Sequence, residues 1–176
     1  MDWPKAKNIL IIILLILDLV LGGLYFAEYK QRELAAKQSY ENAIEYAKKN
    51  NVIIPDNFPE GTPKLASLRV VIKKGRDEEL EYEGTPVVIF GNSKFGVDIE
   101  SVSESKQQIV SASTVLIKFI AERVAEGDAQ GCEIKSIRLV YLVELPSDAS
   151  SGITATALPA WVLSLDGQDI YYNAYQ

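Results

Sequence analysis

Eighteen residues from Ile9 to Phe26, ILIIILLILDLVLGGLYF, carry a single charge, Asp18. At about 1.5 Å per residue a helix of this length covers roughly 27 Å, close to the hydrocarbon thickness of a bilayer. A helix apolar on every side is the membrane pattern. The segment therefore predicts an anchor, with residues 1–8 as a head, 9–27 as a transmembrane helix, 28–39 as a helical stalk and 40–176 as one folded body. A cleaved secretory signal has the same charged front and apolar middle. Cleavage after Ala27, however, needs a small residue where Tyr25 stands. A buried helix of a soluble protein is the third reading of the stretch.

Lys5 and Lys7 precede the run, and Lys30, Arg32 and Lys37 follow it, so the basic residues nearly balance and do not set orientation. An eight-residue head is too short for a function of its own, and large domains translocate regardless of charge. The expected topology is a single pass in the cell membrane, N-terminus cytoplasmic, C-terminal domain extracytoplasmic.

Net charge is −6, from 18 basic and 24 acidic residues. Head and anchor cancel, so the remainder carries all of it. No basic stripe is available to neutralise phosphates, which argues against nucleic acid as a partner and against tight docking on anionic lipid. The chain has no histidine and one cysteine, Cys132. The commonest general base and metal ligand is thus missing, and neither a disulfide nor a cysteine-based zinc site can form within the chain. No cofactor or metal is expected.

After the anchor, Glu28 to Asn50 holds good helix formers without Gly or Pro, and Leu34, Ala35, Ala43, Ile44 and Ala47 supply a thin apolar stripe. Lys48, Lys49 and the two asparagines that follow suit a helix C-terminus. Pro55, Pro59, Gly61 and Pro63 mark a loop. Short strands follow at Leu65–Lys73, around Leu80–Tyr82, at Pro86–Phe90 and at Lys94–Ile99, together resembling an antiparallel meander. Ser111 to Glu126 is the clearest amphipathic helix, with Ala112, Leu116, Phe119, Ile120 and Val124 at helical spacing, Ser111 or Ser113 as cap and Gly127 as stop. Cys132–Leu145, Thr154–Leu165 and Asp169–Tyr175 read as strands. Asp166-Gly167 is the hairpin turn, and Pro159 implies an edge or a bulge. The predicted fold class is α+β: an N-terminal transmembrane helix, then a mostly antiparallel sheet with helices packed on one side.

Candidate chemistry is thin. The acidic run Asp77-Glu78-Glu79 with Glu81 and Glu83 reads as a solvated hairpin face. Without histidine a serine triad is impossible, and Gly91-Asn92-Ser93 is a turn with no helix behind it to cradle a phosphate. Trp161, Tyr171, Tyr172 and Tyr175 form either a binding platform or core with one exposed row. Asp18 gives the sharpest reading. A carboxylate near mid-bilayer costs on the order of 2.5–3.5 kcal/mol on insertion scales and so favours a partner. Gly22-Gly23 permits close helix approach. Leu14, Asp18, Gly22 and Tyr25 are therefore the expected contact face for another transmembrane helix. The plain alternative is a shallow anchor that accommodates Asp18 without one.

Two ends of the chain resemble a known family. Met1-Asp2-Trp3, Lys5, Lys7 and the Ile-rich run through Leu15-Ile16-Leu17 resemble the start of YycI. The tail, with Leu158-Pro159-Ala160-Trp161, Asp166-Gly167 and Tyr171-Tyr172-Asn173-Ala174-Tyr175, resembles the closing hairpin of YycI and the related YycH, and also a PepSY-type hairpin. The likeness covers about a quarter of the chain. It implies an extracytoplasmic YycI/YycH-like α+β domain and an anchored, non-enzymatic regulator. Its partners would be a YycH-like protein and the sensor histidine kinase of the WalK–WalR two-component system of low-GC Gram-positive bacteria, which governs cell-wall metabolism. Trp161, Asp166, Gly167, Tyr172 and Ala174 would be structural in that hairpin. The alternative function is a PepSY-like module that binds or inhibits a protease or peptide outside the membrane.

Overall fold

The computed structural model describes residues 3–59, 61–75, 80–91, 95–145 and 150–175, without the side chains of 3–6 and 9. The acidic run at Asp77–Glu79 and the turn residues Asn92 and Ser93 lie outside them. The fold is α+β, as the sequence pattern implies: a long apolar N-terminal helix, a curled and mostly antiparallel sheet, and a second helix. The chain divides into two compact units, Met1–Ser39 and Tyr40–Gln176.

Helix α1 is one uninterrupted element, Trp3–Lys49. It stops in a Schellman arrangement. Asn51 takes the left-handed conformation (φ 55°), the Asn51 amide donates to Lys48 O, and the Val52 amide donates to Ala47 O at 2.9 Å. Val52 and Ala47, joined by that bond, are both buried. Of the apolar stripe, Ala43 and Ala47 are fully covered by the body, whereas Leu34 is 66% exposed. Docking thus begins near Tyr40, whose ring packs on Phe58 at 5.3 Å.

The main sheet runs β3(Glu81–Tyr82), β4(Thr85–Ile89), β7(Ser136–Val143), β8(Thr154–Leu165), β2(Leu68–Lys74), β5(Phe95–Val102), with β9(Gln168–Asn173) also on β8. A separate two-stranded piece joins β1(Lys64–Leu65) to β6(Gln107–Gln108). The expected meander is overturned. β2 pairs with β5 and β8, β4 pairs in parallel with β7, and only β3–β4 is a local hairpin among those four strands. That hairpin turns at Glu83-Gly84, both at positive φ (49° and 76°), the mirror-image turn that suits the twist of paired strands. Two boundaries also shift. The expected first strand divides into β1 and β2, and residues 132–135 stay outside β7.

β8 is the spine. Its one edge carries β7 from Ala157 to Ser164; its other edge carries β2 over Thr154–Ala157 and then β9 over Ala160–Leu165. Pro159 therefore sits in a central strand, neither at an edge nor in a bulge. Its carbonyl accepts from the Ala174 amide at 2.9 Å, so its missing N–H faces the same side, at the handover from β2 to β9 where the ladder asks for no donor. At the β8–β9 turn Gly167 takes φ 77° while Asp166 stays at negative φ, so this Asp-Gly pair does not form the type I′ turn it favours elsewhere.

Alternation decides what each face does. Trp161 and Leu163 of β8, Ile137 of β7 and Ala174 pack under α2(Ala112–Glu126) and the end of α1, where Leu116, Phe119 and Ile120 are fully buried. Farther along the same face, Tyr141, Val143, Leu68, Val70 and Val97 form a second cluster, with Val87 and Ile89 of β4 against it. β4 and β5 are separated by three strands, about 19 Å on a flat sheet. Their meeting in one cluster is the measure of how far the sheet curls.

α2 is capped as the sequence implies. Ser111 Oγ accepts from the Thr114 amide at 3.1 Å, and Gly127 (φ 77°) closes the C-terminus. Ser113 is buried inside the helix instead of capping it. Ser111→Ala is expected to lower the unfolding free energy by about 1 kcal/mol and Phe119→Ala by about 3–5 kcal/mol, measured by denaturant titration.

Candidate interaction sites

Leu14, Asp18, Gly22 and Tyr25 fall at i, i+4, i+8 and i+11, within one narrow face of α1. Among the described residues nothing covers them. Leu14 is 50% and Tyr25 74% exposed, Asp18 is exposed, and a Cβ added at Gly22 or Gly23 meets no atom within 4 Å. α1 is long and apolar enough to cross a membrane, with a mean hydropathy of 2.7 in its most apolar window. Beyond that window it is carried by its own side chains: Arg32 reaches Glu28 at 2.6 Å and Lys30 reaches Glu33 at 3.2 Å. Each pair is more than half exposed and contributes only a few tenths of a kcal/mol. Tyr25, Phe26 and Tyr29 cluster where the apolar run meets this charged part, the place an aromatic belt occupies in spanning helices.

The hairpin residues lie in the second unit. Trp161 is buried and its indole donates to Val110 O at 2.9 Å. It stands directly opposite Tyr172, whose phenol donates to Glu122 at 2.5 Å while Lys118 lies 5.3 Å above its ring. Ala174 is fully buried, and Asp166, at the exposed turn beside Gly167, pairs with Lys135 at 2.5 Å. Tyr175 donates to Leu65 O at 3.0 Å. The aromatic set does not make one platform. Trp161, Tyr172 and Tyr175 pack toward the helices, and Tyr171 points to the opposite face.

That opposite face was not singled out in the sequence. There Phe90, 53% exposed, meets Tyr171 edge-on at 5.3 Å, over Val88, Leu142, Ala160 and Val162. A groove of about 470 Å³ runs beside them, lined also by Leu158 and Glu144. The signal was the alternation in Pro86–Phe90, which sends Val87 and Ile89 one way and Val88 and Phe90 the other.

Perturbed groups do not gather into a reaction centre. Burial raises the Cys132 thiol above its ordinary range despite the opposing pull of Arg123, which leaves it unactivated. Burial first, and then the bond to Glu122, raises Tyr172. Tyr141 is pushed up to about 12, mainly by burial and then by Tyr175 and Glu83, and its hydroxyl has no hydrogen-bond partner among the described residues. No group of three or more His, Cys, Asp or Glu side chains is placed to hold a metal ion among the described residues. Glu83 of the acidic stretch pairs with Lys106 at 3.2 Å.

Compared with known proteins, the chain matches no protein-family model and no curated protein. The geometry offers two surfaces for contact, one along α1 and one on the sheet, and no assembled nucleophile, base or metal site among the described residues.

Tyr141 supplies a prediction with a definite sign. Its folded-state value lies above the ordinary tyrosine value of 10, so the neutral phenol is favoured by folding and the associated stability is lost as pH rises from about 10 toward 12. Tyr141→Phe is expected to flatten that loss, measured by urea unfolding across this range. At neutral pH the substitution is expected to be neutral or stabilising by up to about 1 kcal/mol, because it removes an unpaired buried hydroxyl. A clear destabilisation at neutral pH would contradict the unpaired hydroxyl.

Proposed function

We propose that this chain is a non-enzymatic, single-pass membrane regulator that acts on a sensor histidine kinase of the WalK type, together with a YycH-like protein, in cell-wall homeostasis. The observation that carries the reading is the uncovered face Leu14, Asp18, Gly22 and Tyr25 on a helix able to cross a bilayer. It is supported by the resemblance of both chain ends to YycI. In this mechanism a kinase transmembrane helix packs against the two glycines and receives Asp18. The extracytoplasmic body sets the position of the helix or reads a partner domain. The regulator biases the kinase only through contacts that differ between its active and inactive states.

Interhelical polar contacts in membranes contribute about 0.6–2 kcal/mol. Asp18→Leu is therefore expected to reduce recovery of the kinase in detergent co-purification by about threefold or more, and replacing residues 9–27 with an unrelated spanning helix to reduce it further. Recovery unchanged in both variants overturns the mechanism.

The exposed Phe90–Tyr171 face favours a second reading, a PepSY-like module that binds a peptide or protease through its body. In that case a protease partner is retained in full after the helix exchange and lost in Phe90→Ser.

A further inference from the structure

The outer edge of β9 differs from the other sheet edges. β3 has only two residues, and β5 presents Asp98 and Glu100, already paired with Lys73 and Arg69 of β2, beside a register shift. Short length, charge and bulges are how sheet edges are kept from pairing. β9 is six residues long, without lysine, proline or bulge, and its outer side is bonded to no described strand. Ala174 donates to Pro159, so the alternation of the ladder turns the N–H and C=O of Asp169, Tyr171 and Asn173 outward.

We propose that β9 pairs antiparallel with β9 of a second copy of this chain, about a two-fold axis at Tyr171. The register follows from self-complementarity. Tyr171 meets its symmetry mate, Asp169 faces Asn173, and Ile170 faces Tyr172. Aromatic–aromatic and aromatic–β-branched partners are favourable across strands, and no like charges stand opposite. A register moved by two residues in either direction, centred on Ile170 or on Tyr172, sets each Tyr171 against Asp169 or Asn173 in place of its mate, and one moved by four, centred on Asp169, sets two aspartates face to face. Asp169 is already held by Arg138 at 3.2 Å and Ser164 at 2.6 Å, which lessens its repulsion at an edge of an acidic protein. The axis also brings the two Phe90–Tyr171 pairs side by side and narrows the apolar surface each leaves in water. Interfaces with two-fold symmetry need this kind of self-matching patch.

Single cysteines read the register directly. In the full chain carrying Cys132→Ser, in detergent, a short bifunctional thiol-reactive cross-linker such as a bis-maleimide is expected to join Tyr171→Cys to itself, because residues paired in this way lie about 5.5 Å apart. Asp169→Cys mixed with Asn173→Cys is expected to cross-link equally well. Either one alone is expected to link at least tenfold less, since its mates are about 14 Å apart along the strands. Asn173→Asp, which retains the acceptor for the Tyr175 amide, opposes two carboxylates and is expected to weaken the dimer several-fold in sedimentation equilibrium. Asn173→Lys is expected not to weaken it. Equal linking at every position, a monomer at all concentrations, or protection of the β9 amides only by a different protein overturns the proposal.

Discussion

The large apolar side chains between Leu10 and Phe26 pack against nothing among the described residues: all are between 45% and 77% exposed. The proposed regulatory mechanism depends on what covers them instead. Fourteen Leu, Ile, Val or Phe residues lie between Ile9 and Phe26. On insertion scales they contribute about 4–8 kcal/mol together toward a spanning position, against about 2.5–3.5 kcal/mol for Asp18. The balance favours the bilayer even with the carboxylate uncompensated. Asp18 thus does not decide whether the segment inserts. Its cost acts on what the inserted helix meets, which is why a partner helix lined against Gly22 and Gly23 is the economical way to accommodate it.

In the second unit the corresponding constraint is the length of β8. Twelve residues allow one strand to hold β7 along one edge and two different strands, β2 and β9, in succession along the other. Pro159 marks the handover because the ladder on that side asks for no amide there. The face carrying Trp161 and Leu163 must be buried by helices, and α2 with the last turns of α1 does so. The other face is closed only in part, by Phe90 and Tyr171. Among the described residues the structure therefore leaves one apolar helix face, one partly covered sheet face and one open strand edge.

Much of this was legible in the residues. The apolar run, the Ser111 cap, the Gly127 stop and the alternation in β7, β8 and β9 are local signals, and the structure follows them. Asn51 in the left-handed cap of α1 follows from its place after Lys48-Lys49. What sequence reasoning missed is non-local. Four consecutive strands suggest a meander, but the parallel pairing of Val87–Ile89 with Tyr141–Val143 joins segments more than fifty residues apart, and no pattern within either segment specifies it. The proline in β8 was misplaced for the same reason: its tolerance depends on which strand lies beside it. The exposure of Phe90 follows from the curl of the sheet, again a property of the assembled strands. For the proposed contact face on α1 the sequence supplied the residues and the spacing, and the structure adds that nothing among the described residues covers them.

The central claim is that α1 holds this chain in a lipid bilayer. The most direct measurement is extraction of membranes from cells making the full-length chain, first with alkaline carbonate and then with detergent. The account predicts that the intact 176-residue chain stays in the carbonate pellet and is released only by detergent. Recovery in the carbonate supernatant, or of a shortened chain free in the medium, would contradict it.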